Sequence, residues 1–376
     1  MGELRCFRSI VLAVAWLALS HAGRTSAAAY DDGARYAFAG SPSTRSVYVI
    51  DLLERKLADT IALERPPDIV AVSDRVKALL VASRNDQTLT LIDLSDPALE
   101  RIGYDIGITP TQLLVSPPGE WVAVYDDARL ELQVHAIRRR EMLLAATNIS
   151  TDRPVIFSLD GTKVYWVDNS TGSLNSVDLW GNRATITLAA AASGLSAMSR
   201  SIDGAFGFVS DADRNVVHVI DLPKFEAFAS LRVGSRPGRP WGTSDGRYMI
   251  APNTADGTVT AISTATGQSV YTIRAVDEPR YVAPGWLDTV AAVVSESGDV
   301  VFFDVETGTV HKRYELGASP LEGIVTSDSL TLAVPLPGAG TLAIFDMRRM
   351  SMLEGISGLP RDIGPVSLAV SNNLCH

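Results

Sequence analysis

The residues able to bind or react are few, and they fall into three groups. Arginine stands beside proline at Arg65-Pro-Pro67, Arg153-Pro154, Arg236-Pro-Gly-Arg-Pro240, Pro279-Arg280 and Pro360-Arg361, with Trp241 and Tyr281 following two of these. Guanidinium groups converging on one mouth of an acidic protein attract a carboxylate or phosphate, so Arg153, Arg236, Arg239 and Arg280 with Trp241 and Tyr281 form a candidate ligand site. The competing reading is that proline stiffens each loop and each arginine pairs with a carboxylate of the neighbouring unit. The second group is Cys375-His376, which puts sulfur, imidazole and carboxylate donors within a few residues. Copper(I) and zinc favour such ligands, whereas an inert chain end needs none of them. The third group is the scarce histidines. His135 and His218 fall inside apolar alternations and His311 in or beside another strand, which fits packing residues better than ligands. Gly-x-Ser-x-Gly, Cys-x-x-Cys and His-Glu-x-x-His do not occur, so no hydrolase or zinc-peptidase reading has a motif behind it. The acidic stretches Asp126-Asp127, Asp211-x-Asp213 and Asn253–Asp256 are explained more simply by turn chemistry than by calcium.

What positions these residues is a repeat. Asn215–Leu222 alternates apolar with other residues, then reaches an aspartate and a turn, and the pattern returns along the chain. The aspartate column is Asp51, Asp93, Ala136, Asp178, Asp221, Ser263, Asp304 and Asp346, a period of about 42 residues. About twenty residues earlier a short apolar strand ends in Ser116-Pro-Pro-Gly119, Ser158-Leu-Asp-Gly161, Ser201-Ile-Asp-Gly204 or Thr243-Ser-Asp-Gly246. Asp-Gly suits a two-residue hairpin connection because glycine accepts positive φ. Four short strands per unit and no helical period predict an all-β fold: one eight-bladed β-propeller of four-stranded blades. The first repeat lacks its first strand, and Pro365–Asn373 matches the missing piece. The spacing therefore predicts Ser367–Val370 paired against Arg35–Ala39, closing the ring and removing exposed sheet edges.

The first 29 residues read differently. Arg5 and Arg8 precede an apolar run from Ile10 to Leu19, and Ala27-Ala28-Ala29 offers a small-residue cleavage site. This is the pattern of a secretory signal peptide, so residues 1–29 are expected to be removed and residues 30–376 to form the propeller domain, periplasmic or secreted. No later stretch approaches 18 uninterrupted apolar residues, and no membrane span is expected after cleavage. The chain has two cysteines, Cys6 and Cys375, and loss of the first leaves no internal disulfide. A formal net charge of −10 with no basic run argues against nucleic acid.

Asn215–Leu222 and Thr258–Gly267 resemble the repeats of the YVTN-type β-propeller family, and the resemblance covers nearly all of the expected mature chain. It implies the propeller fold. It leaves function open, because relatives include exported binding proteins, large subunits of amine dehydrogenases and the haem d1 domain of nitrite reductases. No haem ligand is evident. Two functions are expected: an exported, non-catalytic binding or scaffold protein with its ligand or partner on the arginine-bearing face, or an oxidoreductase component. The latter would be an amine dehydrogenase-like subunit or a tetrapyrrole- or metal-handling protein. A protein partner or redox subunit would dock through the tail or the channel face.

Overall fold

The aspartate column marks the outer hairpin turn of each repeat in the computed structural model, which describes residues 30, 32–192 and 194–368. Asp51 Oδ1 accepts the amides of Leu53 and Glu54, Asp93 that of Ser95, Asp221 that of Lys224 and Asp346 that of Arg349. A short acceptor at this position satisfies amides that the tight turn turns away from the ladder. Where Ala136 and Ser263 break the column, the turn closes through the backbone alone: Arg140 N–H donates to the Ala136 carbonyl and Gly267 N–H to that of Ser263, a bond that Gly308 N–H also makes to the Asp304 carbonyl.

Around these turns the chain forms eight antiparallel sheets in a ring, each of four strands from the inside outward. In blade 4 these are Ile156–Phe157, Lys163–Asp168, Ser173–Asp178 and Arg183–Thr187. Blade 5 comprises Ser199–Arg200, Phe206–Asp211, Val216–Asp221 and Glu226–Arg232, and blade 6 begins at Trp241–Gly242. Blade 8 departs slightly, its outer strand being split into Ser351–Met352 and Ile356–Ser357, which both pair with Thr341–Asp346. Helix is confined, among the described residues, to single 3-10 turns at Trp286–Asp288 and Pro337–Ala339.

The ring closes through the C-terminal strand. Val366–Leu368 lies inside Tyr36–Ser41, with Ala37 opposite Leu368, Phe38 opposite Ser367 and Ala39 opposite Val366. The pairing starts one residue earlier than the spacing predicts, and residues 369 and 370 lie outside the described residues. Ser367 Oγ also donates to the Val70 carbonyl at 2.8 Å, tying the closing strand to blade 2.

The Asp-Gly connection is longer than the two-residue hairpin expected. In blade 4 Phe157 pairs with Val164, so six residues separate the last paired positions. Gly161 N–H donates to the Ser158 carbonyl, Gly161 takes φ +73°, and Ser158 Oγ binds Asp160. A type I-like turn followed by one left-handed residue needs this extra length, and glycine is the residue that enters the left-handed region without strain.

The core lies between blades. Phe302, Tyr314 and Phe345 meet across blades 7 and 8, with ring centroids 5.5 to 6.0 Å apart, and Phe302 and Phe345 are fully buried. Each such side chain contributes about 2–3 kcal/mol of burial. This packing fixes neighbouring blades against each other, and so fixes the inner strands around the axis.

Candidate ligand site in the central channel

The inner strands run from two residues in blades 4, 5, 6 and 8 to six in blade 7, and all eight blades contribute to a channel of about 550 Å³. Its walls are mainly apolar, with Val70, Leu113, Ile156, Met198, Val282 and Ile324 from six different blades. Ser199, Arg200, Arg239, Glu322 and Ser367 are the polar and charged residues of the lining. A concave apolar space of this size with a few placed polar groups is the usual form of a small-molecule site.

Of the six ligand residues expected from sequence, the structure brings Arg239, Trp241 and Tyr281 to the channel. Arg239 reaches past blade 7 to Glu322 at 3.5 Å, at the mouth where the inner strands begin. Trp241 packs against the core between blades 6 and 7, and its buried Nε1 has no hydrogen-bond partner among the described residues. Tyr281 is 8% exposed, accepts the Gly323 amide at 2.9 Å, and has its phenol pKa raised chiefly by burial.

Arg153, Arg236 and Arg280 are not part of the channel lining. Arg153 Nε donates to the Leu195 carbonyl in the loop entering blade 5, with Asp152 3.7 Å away. Arg280 donates to the Pro320 carbonyl of the next blade's loop and sits 3.1 Å from Glu296. Arg236, at φ +52°, uses its backbone, donating to Asn215 and accepting from Thr254. Arg65 likewise meets Asp86 at 2.5 Å. Four of these proline-flanked arginines, Arg65, Arg153, Arg239 and Arg280, therefore lie beside carboxylates, and two of them also clamp neighbouring blades. The paired-loop reading describes these four.

Two polar residues of the lining had no part in the sequence expectation. Arg200 is the last residue of the inner strand of blade 5, at the channel end away from Arg239, and burial lowers its pKa. Tyr165 and Asp160 in blade 4 are among the groups whose charge or dipole favours its charged form. Ser199 beside it is 8% exposed, with Oγ lacking a hydrogen-bond partner among the described residues. A sequence signal existed: aligning the turns at Ser116, Ser158, Ser201 and Thr243 puts Val115, Phe157, Arg200 and Gly242 in one column, and only one of these is charged.

The histidines sit within the blades. His135 is 3% exposed and its Nε2–H donates to Gln133 Oε1 at 2.8 Å, while desolvation lowers its pKa to about 4. His218 meets Ser230 Oγ through Nδ1 at 2.9 Å and lies 3.6 Å from buried Asp211, with its pKa lowered chiefly by burial. The same three positions in blade 6 are Asn253, Thr260 and Thr272, which there are hydrogen-bonded in series, so both blades carry a polar row at these positions. Neither histidine lines the channel. No group of three or more His, Cys, Asp or Glu side chains among the described residues could hold a metal ion, and Cys375 and His376 lie outside those residues. The expected signal peptide lies outside them too, and among the described residues no helix is long and apolar enough to cross a membrane.

No protein-family model matches the chain, and no curated protein matches it. Solved structures do. A dihydro-haem d1 dehydrogenase, NirN, in complex with DHE is similar at 17% identity with TM-score 0.72, over 91% of this chain and 76% of that one. Apo AztD from Citrobacter koseri is similar at 14% identity and TM-score 0.63, over 88% and 97% of the two chains. BamB from Moraxella catarrhalis is similar at 15% identity and TM-score 0.60, over 77% and 88%. At these identities the likeness is one of fold: the chain is an eight-bladed β-propeller closed by its C-terminal strand.

Proposed function

We propose that the protein is an exported, non-catalytic binding protein of the YVTN-repeat kind that takes a small amphipathic molecule into its central channel. The observation that carries this reading is the channel itself: eight inner strands around about 550 Å³ of mostly apolar space with few polar side chains. Inner strands and the loop residues that lead into them form its walls, held by the packing between blades, which favours binding a defined shape with little ordering cost. Export rests on the charged, apolar and small-residue sequence of residues 1–29.

The second reading, an oxidoreductase component or tetrapyrrole-handling protein, draws its support from the likeness to the dihydro-haem d1 dehydrogenase. The described lining fits iron ligation poorly. His135 and His218 are committed inside their blades, and the lining offers Met198 as its one sulfur. Visible absorption and native mass spectrometry of protein purified from its own source separate the two. A bound organic mass of a few hundred daltons without visible absorption supports the binding protein. A visible chromophore overturns it in favour of the second reading, and protein that carries no mass and takes up no apolar probe overturns both.

A further inference from the structure

Blades 4, 5 and 6 each hydrogen-bond a side chain of the third strand to a hydroxyl directly opposite on the outer strand. The pairs are Asn175–Thr185 at 2.8 Å, His218–Ser230 at 2.9 Å and Thr260–Thr272 at 3.1 Å. In the third-strand column Tyr48, Thr90, Gln133, Asn175, His218 and Thr260, imidazole is the one side chain able to accept a proton near neutral pH. Blade 5 therefore keeps the polar row of its neighbours but puts a base where they have an amide or a hydroxyl.

The base is oriented, and its partner is accessible. Asp211 is fully buried, with Oδ1 fixed by the amides of Asp213 and Arg214. Its Oδ2 lies 3.6 Å from His218 Nε2 and 3.7 Å from Arg214 Nε. Asp211 Oδ2 and His218 Nε2 have no hydrogen-bond partner among the described residues, and contacts of this length tighten when a reacting group binds. A proton held on Nε2 by this carboxylate leaves Nδ1 to accept that of the Ser230 hydroxyl. Burial favours the neutral ring that such a base requires. His218 is 4% exposed, whereas Ser230 is exposed on the last strand of its sheet. Val233 N–H donates to the Asn215 carbonyl, so by the alternation of an antiparallel pair His218 and Ser230 form a non-hydrogen-bonded step. The Ser230 N–H is thereby turned to the open edge, where it can donate to an incoming carbonyl oxygen.

We propose that Ser230, with His218 as its base and Asp211 positioning the ring, is a nucleophilic serine that accepts an acyl group from an activated ester or thioester. Ser230 Oγ bonds to the acyl carbon while its proton passes to His218 Nδ1. The bond to the leaving group then breaks, the proton follows the departing alkoxide or thiolate, and an ester remains at Ser230. With one backbone amide to hold the oxyanion, a single lasting acylation is expected rather than turnover. Neither His218 nor Ser230 lines the channel, so this site stands apart from the channel-binding reading.

The test treats the purified protein with a biotinylated fluorophosphonate and with p-nitrophenyl acetate, and maps the modified residues by mass spectrometry. Ser230 is expected to react about 100-fold faster in the wild-type protein than in His218→Asn, the scale of a positioned general base. That variant reproduces the Asn175–Thr185 pairing of blade 4, and His218→Gln gives the same readout should it fold poorly. Asp211→Asn, which matches Asn253 of blade 6, is expected to slow the reaction by at least about tenfold while near-UV circular dichroism stays native. Ser230→Ala is expected to abolish the label at an unchanged melting temperature. Wild-type protein unmodified at Ser230, or modified equally fast in a folded His218 variant, overturns the proposal.

Discussion

The rim of the molecule and its interior treat charge in opposite ways. On the rim, Arg153, Arg239 and Arg280 are 38 to 41% exposed and lie beside carboxylates or loop carbonyls. In the interior, Arg200 has its pKa lowered by burial and His135 and His218 are held neutral by it. Rim charges keep most of their hydration, so pairing them changes energy little. Interior groups have surrendered hydration, so each must be matched by a partner or stand as a cost. The difference teaches where to look for function in a repeat fold: Arg153 and Arg280, which draw attention in the sequence, tie neighbouring loops together, while the ligand site proposed for this protein is the channel inside the ring.

The comparison predicts a ranking of effects. The largest belongs to His135. Its folded pKa lies near 4 against 6.5 for the unfolded chain, so the folded state resists protonation. Stability is therefore full above pH 6.5 and falls as the pH drops, levelling off below about pH 4, with a total loss of about 3 kcal/mol. Chemical denaturation at pH 7 and pH 4 measures this, and His135→Gln is expected to remove most of the difference. An equal acid loss in that variant would place the sensitivity elsewhere.

Asp211 comes next. It is fully buried and its Oδ1 accepts the amides of Asp213 and Arg214. Asp211→Ala leaves both amides unpartnered and is expected to cost about 2–3 kcal/mol by urea denaturation. A smaller loss would mean that water enters the turn and replaces the carboxylate.

Arg200→Met sharpens the contrast, because it removes an interior charge that Tyr165 and Asp160 of blade 4 favour, and it is expected to lower the melting temperature. An unchanged or higher melting temperature would show that these contacts do not offset the desolvation of the guanidinium. The smallest effect is expected on the rim: Arg239→Ala is predicted to change stability by less than about 1 kcal/mol, and less still in high salt.

The fold was legible because the repeat writes its turns in side chains. Aspartate at the outer turn and the Ser-x-Asp-Gly stretch at the lower turn are local hydrogen-bonding devices, so they recur at a fixed period and mark the blades. Closure was legible for a related reason, since Val366–Leu368 repeats the inner-strand pattern missing from blade 1. The length of the lower turn was not, because the left-handed residue after the turn is a backbone requirement that Asp-Gly alone does not specify. The site was only partly legible. Trp241 and Tyr281 follow proline-marked loops and reach the channel, yet Arg153 and Arg280 turn sideways to the next blade, and nothing local in sequence separates these outcomes. Arg200 was obscured because its inner strand has two residues, and the groups that define its surroundings belong to the preceding blade.

Photoaffinity labelling tests the central claim most directly. A long-chain acid bearing a diazirine near its apolar end, irradiated with the mature protein and mapped by mass spectrometry, is predicted to label the channel-lining residues Val155, Ile156, Met198 and Trp241. Excess dodecanoate should abolish the labelling. Label confined to the exposed side chains Trp180, Phe228 and Leu287, or unaffected by competitor, would contradict a channel site.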